Sequence, residues 1–220
     1  MKNTEETTRK KFNILKKYYD KTWDPSGHTL HVGFFGKGSK TLFRAYRDAT
    51  INLIEKINSV RGITKDSIVL DIGCGTGRTL IYICKKYRCR GVGVDISDEM
   101  IKDAKKYLVE LNKERKKKIN IKFIRGSGSE PLKIFKKGEK FTHVISQDAL
   151  FLVNNKKDLF NGLSKLLSKE GAFAIDDFLS EEPRRKFKDK EKQLVYNLVN
   201  WSEGLSFDMY KKYYLLINSG

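Results

Sequence analysis

The ten residues from Ile68 to Gly77 constrain the fold more than any other stretch of the chain. Three residues that favour β-strands precede Asp71, and glycines then stand at alternate positions, at Gly73, Gly75 and Gly77. A helical pattern starts directly afterwards. A strand, a glycine turn and a helix start are the arrangement by which α/β sheets bring backbone close to a nucleotide. Glycine suits this turn because a Cβ atom would block the ligand and because glycine readily adopts positive φ.

The rest of the chain alternates short apolar strands with amphipathic helices. This alternation predicts an α/β fold with a doubly wound, mainly parallel sheet. At 220 residues, the chain is long enough for one domain with a proper core. The predicted strands are residues 67–71, 91–96, 119–124, 141–146 and 171–176, and helices are predicted at 7–21, from 40 onward, at 78–87, around 100–111 and at 156–167.

The composition narrows the setting of the protein. No window approaches the ~20 apolar residues of a membrane span, and the polar N-terminus lacks a secretory signal, so we expect a cytoplasmic protein without membrane contact. The three cysteines, Cys74, Cys84 and Cys89, have no paired spacing, which predicts free thiols rather than disulfides. The histidines and cysteines also lack metal-ligand spacing, so we expect no metal site.

The net charge of +18 has two interpretations. Clustered Lys and Arg supply the electrostatic part of nucleic-acid binding. Alternatively, the charge reflects a lysine-rich composition that is spread over solvated helix faces. The densest cluster, residues 113–118, ends a predicted helix, where cations suit the helix dipole. This position favours the compositional interpretation, and a nucleic-acid partner stays open.

The glycine motif has its acid ahead of the glycines, and in this order it resembles the first motif of class I S-adenosylmethionine-dependent methyltransferases. The resemblance implies a Rossmann-like methyltransferase sheet and S-adenosyl-L-methionine as cofactor, with S-adenosyl-L-homocysteine as product. It also implies that Asp71, Gly73, Cys74 and Gly75 lie against the cofactor. The glycine spacing argues against a nicotinamide-dependent oxidoreductase.

A second acid, Asp95, ends the second predicted strand. An acid at this point is placed to accept hydrogen bonds from the two hydroxyl groups of a ribose. The alternative is a helix N-cap, since Ser97 follows closely. Ile96 is expected to pack against the adenine face, and Met100 lines the same pocket or belongs to the core.

The loop after the third predicted strand contains Ser127 and Gly128. Many class I methyltransferases place an acid at the position of Ser127, where it holds the adenine amino group. This chain departs from that pattern, but a serine can still accept a hydrogen bond. The resemblance therefore implies that Ser127 contacts the cofactor with help from the backbone of Gly128.

A narrower resemblance rests on three stretches: Ser146 to Ala149 at the end of the fourth strand, the pair Tyr18 and Tyr19, and residues 30–33. They resemble the sarcosine/dimethylglycine and phosphoethanolamine N-methyltransferase group of small-molecule enzymes. The phosphoethanolamine enzymes typically have a histidine where this chain has Leu152, which disfavours a phosphobase substrate. The resemblance implies that Tyr19, Leu30 and His31 fold over the cofactor as a lid and that Gln147 lies beside it.

Methyl transfer needs little from side chains beyond alignment of the reacting atoms. An amine acceptor must nevertheless lose a proton, and Asp148, His31 and Tyr19 are the candidate bases or orienting groups. Each has a structural alternative. Asp148 could form a structural hydrogen bond at the strand end, and His31 could occupy a loop or core position. Tyr19 could belong to the buried side of the first helix.

The resemblance divides the chain into an N-terminal helix and lid segment (1–40), a cofactor-binding core (41–180) and a helical C-terminal segment (181–220). Class I methyltransferases usually end with a further pair of strands, for which this sequence leaves no room. We therefore expect a sheet without that pair. Two explanations stay open: the chain is truncated before these strands, or the protein does without them. The predicted function is methyl transfer to a small molecule, with an amine such as glycine, sarcosine or dimethylglycine as the expected acceptor. The alternatives are an RNA or protein methyltransferase that uses the basic surface, and a cofactor-binding protein without activity.

Overall fold

The computed structural model describes residues 5–19, 21, 29–35, 41–153 and 155–177 of the chain. These residues form six α-helices and five β-strands with one short 3₁₀ helix at Leu150–Leu152. In chain order the elements are α1 (Glu5–Tyr18), α2 (Leu42–Val60), β1 (Ile68–Ile72), α3 (Arg78–Tyr87), β2 (Arg90–Asp95), α4 (Asp98–Lys113), β3 (Asn120–Arg125), α5 (Pro131–Ile134), β4 (Phe141–Gln147), α6 (Lys156–Leu166) and β5 (Leu167–Asp176).

The five strands form one sheet in the order β3-β2-β1-β4-β5, and every neighbouring pair is parallel. β1 lies at the centre, where Leu70 aligns with Val92 of β2 and with Val144 of β4. This order confirms the predicted doubly wound α/β fold. The chain runs outward from β1 to β3 and then crosses back to β4, so the order reverses between β1 and β4. Open α/β sheets bind ligands at such a point, in front of the carboxyl ends of the strands.

Two apolar cores cover the two faces of the sheet. Burial of apolar surface between layers is the main stabilising contribution in a fold of this kind. One core joins α2, α3 and α4 to the sheet, and its fully buried members include Ile57, Leu80 and Ile83. The other joins α6 and the loop before β4 to the opposite face through Phe141, Phe160 and other buried residues.

Several predicted boundaries differ from those in the structure. Helix α1 begins at Glu5, two residues before the predicted start, with its two acidic residues in the first turn, where they suit the helix dipole. Strand β5 begins at Leu167 instead of residue 171. This early start is held by side chains from elsewhere, because Lys140 Nζ donates to Leu167 O at 3.3 Å and Arg61 donates to Glu170 O at 2.6 Å.

The predictions for residues 178–220, including the helical C-terminal segment and the expected lack of a final strand pair, lie outside the described residues. Part of the N-terminal segment, at 20, 22–28 and 36–40, and the side chain of Tyr18 also lie outside them. Within the described part of the chain, no helix combines the length and apolar character that crossing a membrane requires.

Candidate active site

A pocket opens at the carboxyl edge of the sheet, in front of β1, β2 and β4. The volume of the pocket, including the part that is open to solvent, is about 1130 Å³. The structure brings all the residues that the sequence predicted for the site into the lining of this one pocket, while the role of each stays a prediction. They are Tyr19, Leu30, His31, Asp71, Gly73, Cys74, Gly75, Asp95, Ile96, Met100, Ser127, Gly128, Gln147 and Asp148.

The glycine turn after β1 forms the floor of the pocket. Gly73 has φ +76° and Gly75 has φ +51°, a backbone region that side chains other than glycine rarely adopt. A Cβ atom on Gly73 would lie 2.2 Å from the Cβ of Ala149, so the close approach of these loops also requires glycine. The backbone N–H groups of Gly73 and Cys74 donate to Val94 O at 2.8 and 3.0 Å, which ties the turn to β2.

Asp95 lies at the end of β2 with its carboxylate fixed by backbone. Its Oδ2 accepts from Gly75 N–H at 2.8 Å and its Oδ1 accepts from Ser97 N–H at 2.8 Å. Ser97, rather than Asp95, is the N-cap of α4, because the Ser97 hydroxyl accepts from Met100 N–H. Burial raises the pKa of Asp95, and this effect outweighs the hydrogen bonds from the backbone N–H groups, which lower the pKa. Each carboxylate oxygen keeps a further acceptor position for a ligand.

Asp71 is the most perturbed acid of the pocket. It is buried at the carboxyl end of β1, and burial together with the charge of Asp95 raises its pKa to about 8. Near neutral pH the group is therefore mainly protonated. A cation that enters the pocket would favour the ionised form, so the site is suited to an ammonium group.

The amino end of α3 faces the same space through Thr76, Arg78 and Thr79. Its N-cap, Gly77, has no side chain to accept from the first N–H groups of the helix, which leaves them suited to an anionic group such as a carboxylate. Asp71 and the amino end of α3 thus line one pocket, the first suited to an ammonium group and the second to a carboxylate.

Gln147 is held between two elements at the end of β4. Thr79 Oγ1 donates to Gln147 Oε1 at 3.0 Å, and Gln147 Nε2 donates to Asp176 Oδ2 at 3.2 Å. Because both ends of the amide are bonded, its orientation is fixed at the edge of the pocket.

Asp148 follows with a left-handed backbone, φ +50°, which is uncommon for a residue other than glycine and concentrates at functional sites. Its backbone N–H donates to Asp176 O at 2.7 Å. Its Oδ2 accepts from the backbone N–H of Val32, a contact between residues far apart in sequence. Burial, with a contribution from the charge of Asp176, raises the pKa of Asp148 to about 6.

The segment of residues 29–35 contributes Thr29, Leu30 and His31 to the pocket lining, and the lid role of Leu30 and His31 stays a prediction. A Cβ atom on Gly75 would lie 3.2 Å from Leu30 Cδ1, so the Leu30 side chain rests on the glycine turn. His31 Nδ1 lies 3.0 Å from Val32 O, and because a carbonyl only accepts, this nitrogen bears the proton. His31 Nε2 lies 3.1 Å from Thr50 Oγ1 of α2. Both ring nitrogens therefore have partners that fix the segment.

Tyr19 lines the pocket from the end of α1. Its ring stacks on Phe12 with centroids 6.4 Å apart, and burial raises the pKa of its hydroxyl group. Met100 is both core and lining, because it is 1% exposed and still contributes to the pocket wall. The two alternatives for Met100 are therefore compatible.

Helix α1 supplies pocket residues that sequence reasoning missed, namely Glu5, Thr8 and Phe12. The helix packs on α4 through Lys16 Nζ and Asp103 Oδ2 at 2.6 Å and through the other polar contacts described below. The spacing of its polar residues could have indicated a helix face with partners, but not which acids they meet. The other lining residues that were missed are Thr29, Ile72, Thr76, Arg78, Thr79, Val94, Ser129, Ala149, Leu150, Leu152 and Val153.

Comparison with known proteins identifies the family. A family model for a methyltransferase domain matches residues 63–215, more than half of the chain. The chain belongs to this methyltransferase domain family. The match confirms the predicted resemblance to class I S-adenosylmethionine-dependent methyltransferases and supports S-adenosylmethionine as the cofactor of this methyltransferase domain.

Individual relatives of the methyltransferase domain are distant and chemically diverse. Ajmaline N-methyltransferase of Rauvolfia serpentina is 30% identical in an alignment 99 positions long that covers 41% of this chain and 34% of the relative. The chain spans half or less of the length of the first curated relatives it matches.

Two solved structures share the fold at low sequence identity. A protein provisionally named sarcosine dimethylglycine methyltransferase from Galdieria sulphuraria has a TM-score of 0.76 at 18% identity, covering 90% of this chain and 71% of its own. Geranyl diphosphate C-methyltransferase from Streptomyces coelicolor A3(2), solved with S-adenosyl-L-homocysteine, has a TM-score of 0.70 at 14% identity, covering 95% and 77%.

Proposed function

We propose that this methyltransferase domain transfers a methyl group from S-adenosylmethionine to the nitrogen of a small amine, of which glycine, sarcosine and dimethylglycine are the first candidates. The observation that supports an amine is the cluster of carboxylates at the ends of β4 and β5, formed by Asp148, Asp176 and Asp177. Of the three, Asp148 lines the pocket itself, while Asp176 Oδ2 accepts from the pocket residue Gln147 at 3.2 Å and Asp177 Oδ2 accepts from Phe151 N–H at 2.8 Å. In a chain of net charge +18, this local excess of acid favours a cationic acceptor.

The strand order supports a defined placement of the cofactor. Asp95, at the end of β2, would hold the ribose hydroxyls, and Asp71 with the amino end of α3 would hold the amino-acid end. Ile96 and Met100 would form an apolar wall for the base. The methyl group would then face β4, where Gln147 and Asp148 lie.

When bound, S-adenosylmethionine supplies a methyl carbon that is electrophilic because it is attached to a positively charged sulfur. The protein needs to align the acceptor nitrogen with that carbon, to exclude water, and to take a proton from the amine. We assign the proton to Asp148, because its raised pKa makes it a stronger base than an ordinary carboxylate. Asp148 lies at the pocket wall, and its contact with Val32 orients its carboxylate.

His31 and Tyr19 are assigned to the lid rather than to proton transfer. The two ring nitrogens of His31 are engaged by Val32 and Thr50, which leaves no nitrogen for an acceptor. Tyr19 has a raised pKa, so its hydroxyl stays protonated and can donate a hydrogen bond but not act as a base near neutral pH. Both residues would exclude water by covering the bound cofactor and acceptor.

The first experiment measures S-adenosyl-L-homocysteine binding by calorimetry with the wild type and Asp95→Ala. A methyl-transfer assay then compares glycine, sarcosine and dimethylglycine with RNA and with an acceptor that can be methylated only at carbon. Asp148→Asn should lower kcat at least about tenfold and leave cofactor affinity unchanged, since it removes a base. Asp66→Asn, at an exposed loop position before β1, is the matched control.

The outcomes separate the alternatives. Methylation of RNA or of the carbon acceptor in preference to every amine would refute the amine proposal. Absence of S-adenosyl-L-homocysteine binding by the folded wild type would refute the cofactor assignment.

A further inference from the structure

We propose that Glu5, from the N-terminal helix, supplies the carboxylate that recognises the amino group of adenine. The inference rests on the proposed function, because it assumes that S-adenosylmethionine binds in the pocket. It goes beyond that function by assigning base recognition to a residue outside the glycine-turn core. It also accounts for the serine at position 127, where many class I methyltransferases have an acid.

The contact that supports the proposal lies between α1 and the loop after β3. Ser127 Oγ donates to Glu5 Oε1, and Ser127 Oγ in turn accepts from Ser129 N–H at 3.1 Å. A serine hydroxyl has a single proton, and here that proton points to Glu5. Ser127 therefore positions the carboxylate of Glu5 at the pocket wall.

Helix α1 holds Glu5 in this place through contacts along its length. Arg9 pairs with Asp98 at the start of α4, and Asn13 Oδ1 accepts from Ser97 Oγ at 2.6 Å. One further turn along, Lys16 pairs with Asp103 of α4, and the Lys16 side chain is only 7% exposed. These contacts place the first turn of α1 beside Ser127, where Glu5 lines the pocket.

The placement of Glu5 fits the chemistry of adenine. Asp71 and Asp95 belong to β1 and β2, and the next strand in the sheet is β3, so a nucleoside anchored by these acids extends its base toward the loop of Ser127. The exocyclic amine of adenine donates hydrogen bonds. A carboxylate only accepts and has about four acceptor positions, so the bond from Ser127 leaves Glu5 able to accept from the base.

A change of base provides the test. S-inosyl-L-homocysteine has a carbonyl oxygen where S-adenosyl-L-homocysteine has the amino group. This oxygen only accepts hydrogen bonds, as the carboxylate of Glu5 does, so the two groups would repel each other. Calorimetry with the wild type should show tighter binding of the adenosyl ligand by at least about tenfold, the usual size of a hydrogen bond to a charged group. In Glu5→Gln the amide can donate to the carbonyl, so this ratio should fall about tenfold or more.

Control variants distinguish recognition from helix docking. Glu6→Gln removes the neighbouring acid, which pairs with Arg9 and Lys10 on the helix surface, and should leave the ratio unchanged. Lys16→Met weakens the attachment of α1, which holds Glu5 in place, and should therefore lower the ratio while the carboxylate itself is kept. In Glu5→Ala, adding Ser127→Asp should restore the preference for the adenosyl ligand, because it returns an acid to the loop after β3.

An unchanged ligand ratio in Glu5→Gln, with binding of both ligands still dependent on Asp95, would overturn the proposal and leave the cofactor assignment intact. Equal weakening of both ligands by Glu5→Gln would also overturn it, since it would reduce Glu5 to a docking residue. If the folded wild type bound neither ligand, the proposed function itself would fail.

Discussion

Binding of S-adenosyl-L-homocysteine should strengthen as the pH rises and should release a proton from Asp71. Burial and the charge of Asp95 raise the pKa of Asp71 to about 8, so the carboxyl group of the unliganded protein is mainly protonated at neutral pH. The ligand's ammonium group favours the ionised form, so Asp71 loses its proton on binding. The ionised fraction rises from about 1% at pH 6 to about 24% at pH 7.5, so affinity should rise about 24-fold, or roughly 1.9 kcal/mol.

The assay is calorimetry across this pH range in two buffers that differ in ionisation enthalpy. The difference in observed heat gives the number of protons released, which should be close to one per ligand at and below pH 7. S-adenosyl-L-homocysteine is chosen because it lacks the sulfonium charge. Its amino group belongs to a free amino acid, whose adjacent carboxylate raises the ammonium pKa above that of a peptide amino terminus, so the group stays charged in this range.

Asp71→Asn is the decisive comparison, because the amide cannot ionise. Its affinity should be weaker and nearly independent of pH over the same interval. If this variant shows the same pH slope and proton release as the wild type, the protons come from another group, and the argument from the raised pKa of Asp71 is wrong.

Three further predictions follow from single contacts. Gly73→Ala should cost about 1–3 kcal/mol of stability and at least tenfold in ligand affinity, because φ is +76° and the new Cβ would lie 2.2 Å from a neighbouring side chain. Gly62→Ala is the control, since its Cβ would meet nothing within 4 Å. Urea unfolding measures the stability of both variants, and calorimetry measures their ligand affinity. Phe160→Ala should cost about 3–5 kcal/mol in the same unfolding experiment, since its side chain is 1% exposed. Thr50→Val should weaken ligand binding about fivefold, because His31 Nε2 loses its partner; an unchanged Kd would show that this contact does not hold the lid.

The parts of the site that the sequence predicted are those set by local rules. The glycine turn follows from alternate glycines after a strand, and Asp95 follows from its position at a strand end. In a parallel sheet every strand ends at the same edge, so residues that follow different strands meet without any knowledge of their contacts. This rule alone brought the end of β1, Asp95, Ser127 and Gln147 to one pocket.

The parts that the sequence did not predict depend on packing between distant segments. Glu5 reaches the pocket only because α1 docks on α4, and no periodicity within α1 identifies Asp98 or Asp103 as its partners. The contact of Asp148 with Val32 similarly joins two loops far apart in the chain. Hydrophobic period and turn chemistry describe neighbours in sequence, whereas these contacts depend on the tertiary arrangement of helices and loops.

Under the proposed function, the acids of the pocket obtain their positive partners from the ligands. The chain has 45 Lys and Arg residues, yet within the described residues Asp71, Asp95 and Asp148 form no ion pair with any of them. Burial raises the pKa of all three, which means that each charged form is disfavoured in the unliganded protein. A fold that needed only stability would have gained by pairing or replacing these acids. The ammonium group of the cofactor and a cationic amine acceptor would each bring the missing positive charge. The unpaired acids therefore lower the stability of the unliganded protein, and binding of the proposed ligands would offset this loss.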